Sequence, residues 1–196
     1  MSNHKEHAPA TEMQHAVVSR GAGMNEGSEI HGRFVVVCHG PDGKVKWEDT
    51  IENVVTTLGK NLALDTFLAG SAYTATVYMG LISSVGYTTG PVVGDIMSSH
   101  AAWTEAGLAN APTYTAPRKT TVWAAAAAGS KSLTAPLVFA FTGSGTVKGC
   151  FLVFGTGALS TIDNTAGTLY SAGLFTNSDK VVSSLDTVSA SYTASM

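Results

Sequence analysis

The chain has 196 residues, a mass of 20.2 kDa, a net charge of −3 and a sequence pI near 6.0. That length suffices for one sizeable core and excludes two ordinary domains beside a polar N-terminal arm. The charge offers no broad basic field for nucleic acid, and no apolar run approaches the roughly 18–20 residues of a membrane span, so neither is an expected partner.

Charged residues make up 13% of the chain and mean hydropathy is +0.17, whereas an average soluble domain carries about 25% charged residues. Such a surface lacks the charges that keep monomers apart and suits a protein whose faces are covered by other subunits. A secreted β-protein rich in surface Ser and Thr shares this composition. Residues 1–20 lack a signal peptide's hydrophobic region, so synthesis in a cytosol is the expectation.

Residues 1–29 show no sustained period and read as a flexible arm. Its His4, His7 and His15 are expected to be solvated or to meet a partner rather than bind metal. Order is expected from Ile30, giving one β domain over 30–196. Arg33–Cys38 is apolar and β-branched, Gly40–Gly43 (GPDG) is turn chemistry, and Lys44–Glu48 alternates, which together predict a hairpin. Asn53–Thr57 predicts a short strand. Leu58–Leu68 places Leu58, Leu62 and Phe67 or Leu68 at roughly helical spacing, predicting one short helix ended by Gly70.

Ala75–Ile82 predicts a strand with Val77, Met79 and Leu81 on one face and Tyr78 with Ile82 on the other, both partly covered. Ser83–Arg118 carries Gly86, Gly90, Pro91, Gly94, Gly107, Pro112 and Pro117 and reads as a long loop region that is functional or holds partner contacts. Thr120–Ala128 is ambiguous, since five alanines favour helix and Thr-Thr-Val-Trp favours strand. A strand with small residues on a packed face is the preferred reading. Leu137–Phe141, the turn Gly143–Gly145 and Thr146–Phe154 predict a second hairpin, followed by a strand over Thr168–Phe175 and a turn over Asn177–Lys180. Thr187–Ser195 alternates cleanly, with Val188, Ala190, Tyr192 and Ala194 on one face. Seven to nine short strands with one helix predict an all-β fold, an antiparallel β-sandwich or jelly roll.

Cys38 and Cys150 each sit in an apolar strand-like run. They can pair only where their Cα atoms lie about 4.4–6.8 Å apart, and without an export signal buried free thiols are expected. Neither belongs to a Cys-x-x-Cys motif.

Several catalytic motifs begin along the chain and none completes. Gly143-Ser144-Gly145 and Gly155-Thr156-Gly157 have Lys148 and Ser160 where a dinucleotide fingerprint needs its third glycine. Gly43-Lys44 and Gly59-Lys60 continue into Val45 and Asn61, so neither is a phosphate-binding loop, and no Gly-x-Ser-x-Gly elbow occurs. No cofactor or metal set emerges. Asp95, His100 and Glu105 offer an acid, a base and an orienting carboxylate. The favoured reading is structural, with Asp95 capping a turn, His100 bonding the loop backbone and Trp103 plugging the loop onto the sheet. These four residues, Asp95, His100, Trp103 and Glu105, are the candidate loop cluster and interface. Trp47, Tyr78, Tyr87, Trp103, Tyr114 and Trp123 suit sugar stacking in a lectin-like head, but in a β-sandwich they are more often core or subunit anchors.

The succession Lys46-Trp47-Glu48, Asn53-Val54-Val55-Thr56, Leu58-Gly59-Lys60-Asn61 with Leu64-Asp65, Tyr78-Met79-Gly80-Leu81-Ile82, and Gly94-Asp95-Ile96-Met97-Ser98-Ser99-His100-Ala101-Ala102-Trp103-Thr104-Glu105 resembles a family of tailed-bacteriophage virion proteins. Gly167-Thr168-Leu169-Tyr170-Ser171, Asp179-Lys180-Val181-Val182, Leu185-Asp186-Thr187-Val188 and Tyr192-Thr193 fit the same pattern. The match covers roughly residues 32–195, and Ala101-Ala102-Trp103 departs from the more usual His-Ala-Gly-Trp form. The family is similar to capsid decoration, or cement, proteins of jelly-roll-like fold. The resemblance implies a non-enzymatic homotrimer on the outside of the head, with the major capsid protein as partner. The arm would order on the lattice, and no catalytic residue is implied. A tail-associated structural or glycan-binding receptor protein is the alternative.

Overall fold

A computed structural model describes residues 29–69 and 76–196. The arm expected over residues 1–29 lies outside them except for Glu29, as does Gly70, the expected helix stop. The fold is an all-β antiparallel sandwich with one helix.

The first sheet grows from β1 (His31–His39), whose alternation buries Gly32, Phe34, Val36 and Cys38. It pairs with β2 (Val45–Glu52) through the GPDG turn, in which Gly43 takes φ +77°, the left-handed region glycine enters without a Cβ penalty. On its other side β1 pairs along its whole length with β12 (Thr187–Ser195), from His31 opposite Ser195 to His39 opposite Thr187. β12 also pairs with β7 (Ser130–Ser132) and β8 (Leu137–Ala140). The second sheet runs β3 (Val54–Val55), β10 (Thr168–Leu174), β9 (Gly145–Phe154), β4 (Tyr78–Ser83) and β5 (Thr104–Glu105). β11 (Lys180–Val182) adds to β9, and β6 (Lys119–Thr120) adds to β4.

Phe34, Val36, Val188 and Tyr192 from the first sheet meet Met79, Leu81 and Leu152 from the second in the main core. Cys38 and Cys150 are free, fully buried and part of this core. Burial, with Asp186 adding and Lys46 opposing, pushes the Cys38 thiol up to about 11, and burial drives the Cys150 thiol well above its ordinary value. The outer face of the second sheet carries its own apolar cluster of Ile82, Phe151, Val153, Leu169 and Ala172, on which Met97 and Trp103 from the loop region pack. The sheet is therefore covered on both sides. β4 divides as its sequence predicts, with Val77, Met79 and Leu81 in the main core and Ile82 with Tyr78 in the outer cluster.

Three expectations need correction. The strand predicted over Asn53–Thr57 is two residues long, because Thr56 caps α1 (Thr57–Ala69): its hydroxyl oxygen accepts the Gly59 N–H at 3.0 Å and its hydroxyl donates to the Leu169 carbonyl. The helix predicted from the spacing of Leu58, Leu62 and Phe67 or Leu68 forms; Leu58 and Leu68 are exposed on it, and it approaches β10 through Gly59. The second hairpin does not form. β8 joins β12 in the first sheet while β9 enters the second, so Gly143–Gly145 is a corner between sheets. The corner is tight, since a Cβ on Gly145 would meet the Pro112 nitrogen at 2.8 Å. Finally, of Thr120–Ala128 only Thr120 lies in a strand, as the end of β6; the rest makes isolated bridges at Trp123 and Ala127, and Ala125–Ala128 are exposed rather than packed.

Candidate functional site

Residues 84–118 leave β4, cross the outer face of the second sheet and return to it at β5 and β6. Three anchors hold them. The first is Trp103, which is 1% exposed. Its indole packs between His100, whose ring is stacked at 3.9 Å and 20°, and Phe151 of β9 at 5.5 Å. The indole N–H donates to Asp95 Oδ2 at 2.9 Å, and the same oxygen accepts the Val92 N–H at 3.1 Å, closing a turn. His100 Nδ1 lies 3.0 Å from the Trp103 carbonyl oxygen; a carbonyl only accepts, so Nδ1 carries the proton. Burying an indole removes about 150–250 Å² from water, about 4–6 kcal/mol, which is ample to dock a loop.

The second anchor is Tyr87, which packs against the outer cluster under the Lys148 ammonium, 4.3 Å from the ring centre, while Lys148 also pairs with Asp179 at 2.6 Å.

The third is a buried ion pair. Glu105 accepts from Arg118 Nε at 2.8 Å and Nη2 at 2.7 Å, a bidentate fork, and also accepts the Asp163 N–H at 2.8 Å. Arg118 continues to the carbonyl oxygens of Leu159 and Asn164 at 3.1 and 2.7 Å, and its guanidinium lies 5.4 Å from the centre of the Phe151 ring. Asp163 takes φ 61°, a left-handed geometry that Asp tolerates better than most residues, and so turns its N–H onto Glu105. Burial pushes the Glu105 carboxyl above its ordinary value, while Arg118 and the Asp163 N–H pull it back. The pair stitches residues 104–118 to residues 159–164, two segments with no strand pairing between them.

His100, Glu105 and Arg118 border a small hollow of about 150 Å³. Asp95, His100 and Trp103 thus form one contact set, and Glu105 belongs to a second centred on Arg118. Sequence reasoning passed over Arg118, which entered only as the end of the loop region. The available signal was a glutamate at the return to the sheet, which needs a cation when buried; Arg118 follows 13 residues later in Pro117-Arg118-Lys119.

Every carboxylate oxygen of Glu105 is engaged, the His100 ring is stacked and bonded, and the Thr104 hydroxyl donates to the Val85 carbonyl at 2.5 Å. Among the described residues no three His, Cys, Asp or Glu converge as metal ligands. What this arrangement does is fix a backbone and present what lies above it. Val85, Val92, Val93 and Leu108 of the same segment are exposed, and the Val93 carbonyl accepts the N–H of Thr57 at the start of α1, beside exposed Leu58. Of the aromatics suited to sugar stacking, Trp103 and Tyr114 are buried, Trp47 packs edge-on against Phe175 at 5.5 Å, and Tyr87 lies under Lys148. A scan of protein-family models finds no match to this chain, and no curated protein matches it.

Proposed function

We propose that the protein is a structural component of a tailed-phage virion that binds the outside of the head and bridges major capsid subunits. The observation that carries the reading is the combination of rigidity and exposure in residues 84–118. Two buried polar clamps and a buried tryptophan immobilise the segment, while Val92, Val93 and Leu58 stay at the surface of a charge-poor chain. Apolar side chains held in place before contact bind without losing much freedom on association, which suits a surface made to meet a lattice of partners. The motif resemblance over residues 32–195 supports the same reading. Assembly as a homotrimer would multiply weak contacts through effective concentration, as a cement resisting outward pressure requires.

The test is localisation. Antibody labelling of intact particles should place signal over the head, whereas signal at the tail tip would instead identify a tail-associated or receptor-binding protein.

A further inference from the structure

α1 and residues of both sheets line a cleft of about 720 Å³. Trp123, Phe154, Tyr170 and Tyr192 form apolar walls, Leu62 comes from the helix and Ala194 from the end of β12, with Lys131 on the lining. This volume is that of a ligand pocket rather than a packing defect. The start of the described chain lies against it. Gly32 pairs with Ala194, and a Cβ on Gly32 would lie 1.9 Å from the Tyr192 hydroxyl. Ile30, two residues earlier and on the same face of the strand, is partly buried against the main core.

Residues 1–28 join the described chain at Glu29-Ile30, immediately before β1. They contain no Leu, Ile, Phe, Tyr or Trp, and their one aliphatic pair is Val17-Val18, preceded by Ala16 and followed by Ser19-Arg20. The twelve steps from Val18 to Ile30 reach up to about 40 Å when extended, enough to fold back. We propose that the cleft is the docking site of the chain's own Ala16-Val17-Val18. A tether of this length holds the segment at an effective concentration in the millimolar range, so the same chain's arm outcompetes that of a second copy at micromolar protein. The apolar pair enters between the aromatic walls, and Arg20 stays outside as the first cleavable site beyond it. This inference is independent of the capsid reading.

The experiment is limited trypsin cleavage at Arg20 in the full-length protein, with Val17→Glu/Val18→Glu and, separately, Ala63→Trp, which fills the cleft from the helix. Cleavage follows the undocked population, so both variants should be cut about tenfold faster than the wild type while far-UV circular dichroism is unchanged. Should Ala63→Trp disturb the helix, the double valine variant still decides, because residues 17 and 18 belong to none of the described strands or the helix. Equal cleavage in all three proteins overturns the proposal. So does protection that fades on dilution, which gives the cleft to a second copy's arm. Uptake of an apolar dye raised by Tyr73→Ser and not by the valine variant also overturns it, and gives the cleft to residues 70–75.

Discussion

The indole N–H of Trp103 donates to Asp95 Oδ2 across a turn of eight residues, and the same oxygen accepts the Val92 N–H. The ring fills the outer cluster while its one polar atom is satisfied by the segment it anchors. Trp103→Ala should therefore cost about 3–5 kcal/mol, and Asp95→Ala about 1–3 kcal/mol because it leaves a buried donor unpaired. Urea denaturation checks both. A loss under 0.5 kcal/mol for Trp103→Ala would show that the ring is not the anchor.

Glu105 and Arg118 test differently. Removing either partner of a buried pair strands the other charge, so Glu105→Gln or Arg118→Met should each cost about 3–5 kcal/mol. The double variant should cost far less than their sum, since no charge is left unpaired. Additive losses in the double-mutant cycle would mean the two residues act separately.

Acid stability follows from two other carboxylates. Burial raises the Asp49 carboxyl, but Lys180 and the N–H groups of Thr50 and Asn177 outweigh it and hold it below its ordinary value; for Asp186, Lys46 and the Ser183 N–H outweigh burial in the same way. A group depressed in the folded state stabilises fully above its unfolded value, about 3.9 for Asp, and loses that contribution as pH falls through the lower folded value. The urea midpoint should stay level from neutral pH to about 5 and fall below about 4. Asp49→Asn or Asp186→Asn should flatten that fall, and an equally steep decline in both variants would assign it to other groups.

Val92→Glu/Val93→Glu leaves the anchors untouched and places charge on the exposed patch. On the proposed capsid-binding function, occupancy on expanded capsids should drop at least tenfold with the thermal midpoint unchanged, the loss expected when charge is forced into an apolar contact. Undiminished occupancy would remove this patch from the interface.

Gly59 sets two effects against each other. Alanine in a helix is favoured over glycine by about 1 kcal/mol, yet a Cβ here would sit 2.5 Å from the Tyr170 carbonyl oxygen. Backbone cannot yield cheaply, so Gly59→Ala should destabilise, and a higher thermal midpoint would show that the helix can shift outward.

Elements whose faces see one environment each were legible in the sequence. β12 alternates because one face meets the core, and β4 divides its residues between two clusters as their spacing requires. The corner at Gly143–Gly145 was not, because a hairpin turn and a crossing between sheets use the same residues, and only pairing with β12, some fifty residues later, distinguishes them. The five alanines fit helix, strand or exposed coil equally. Asp95, His100 and Trp103 were placed together by closeness in sequence. Arg118 was not, since its partners at Leu159 and Asn164 come from a segment that no local pattern connects to it.

Cys38 and Cys150 lie in opposite sheets and share one core. Alkylating reagents attack thiolates, and burial suppresses both the access and the ionisation of these two sulfurs. Labelling under native conditions can therefore proceed only when the sheets part. The chain carries its own clock for that event: the rate at which it takes up a maleimide counts how often the sandwich opens, with no engineered probe.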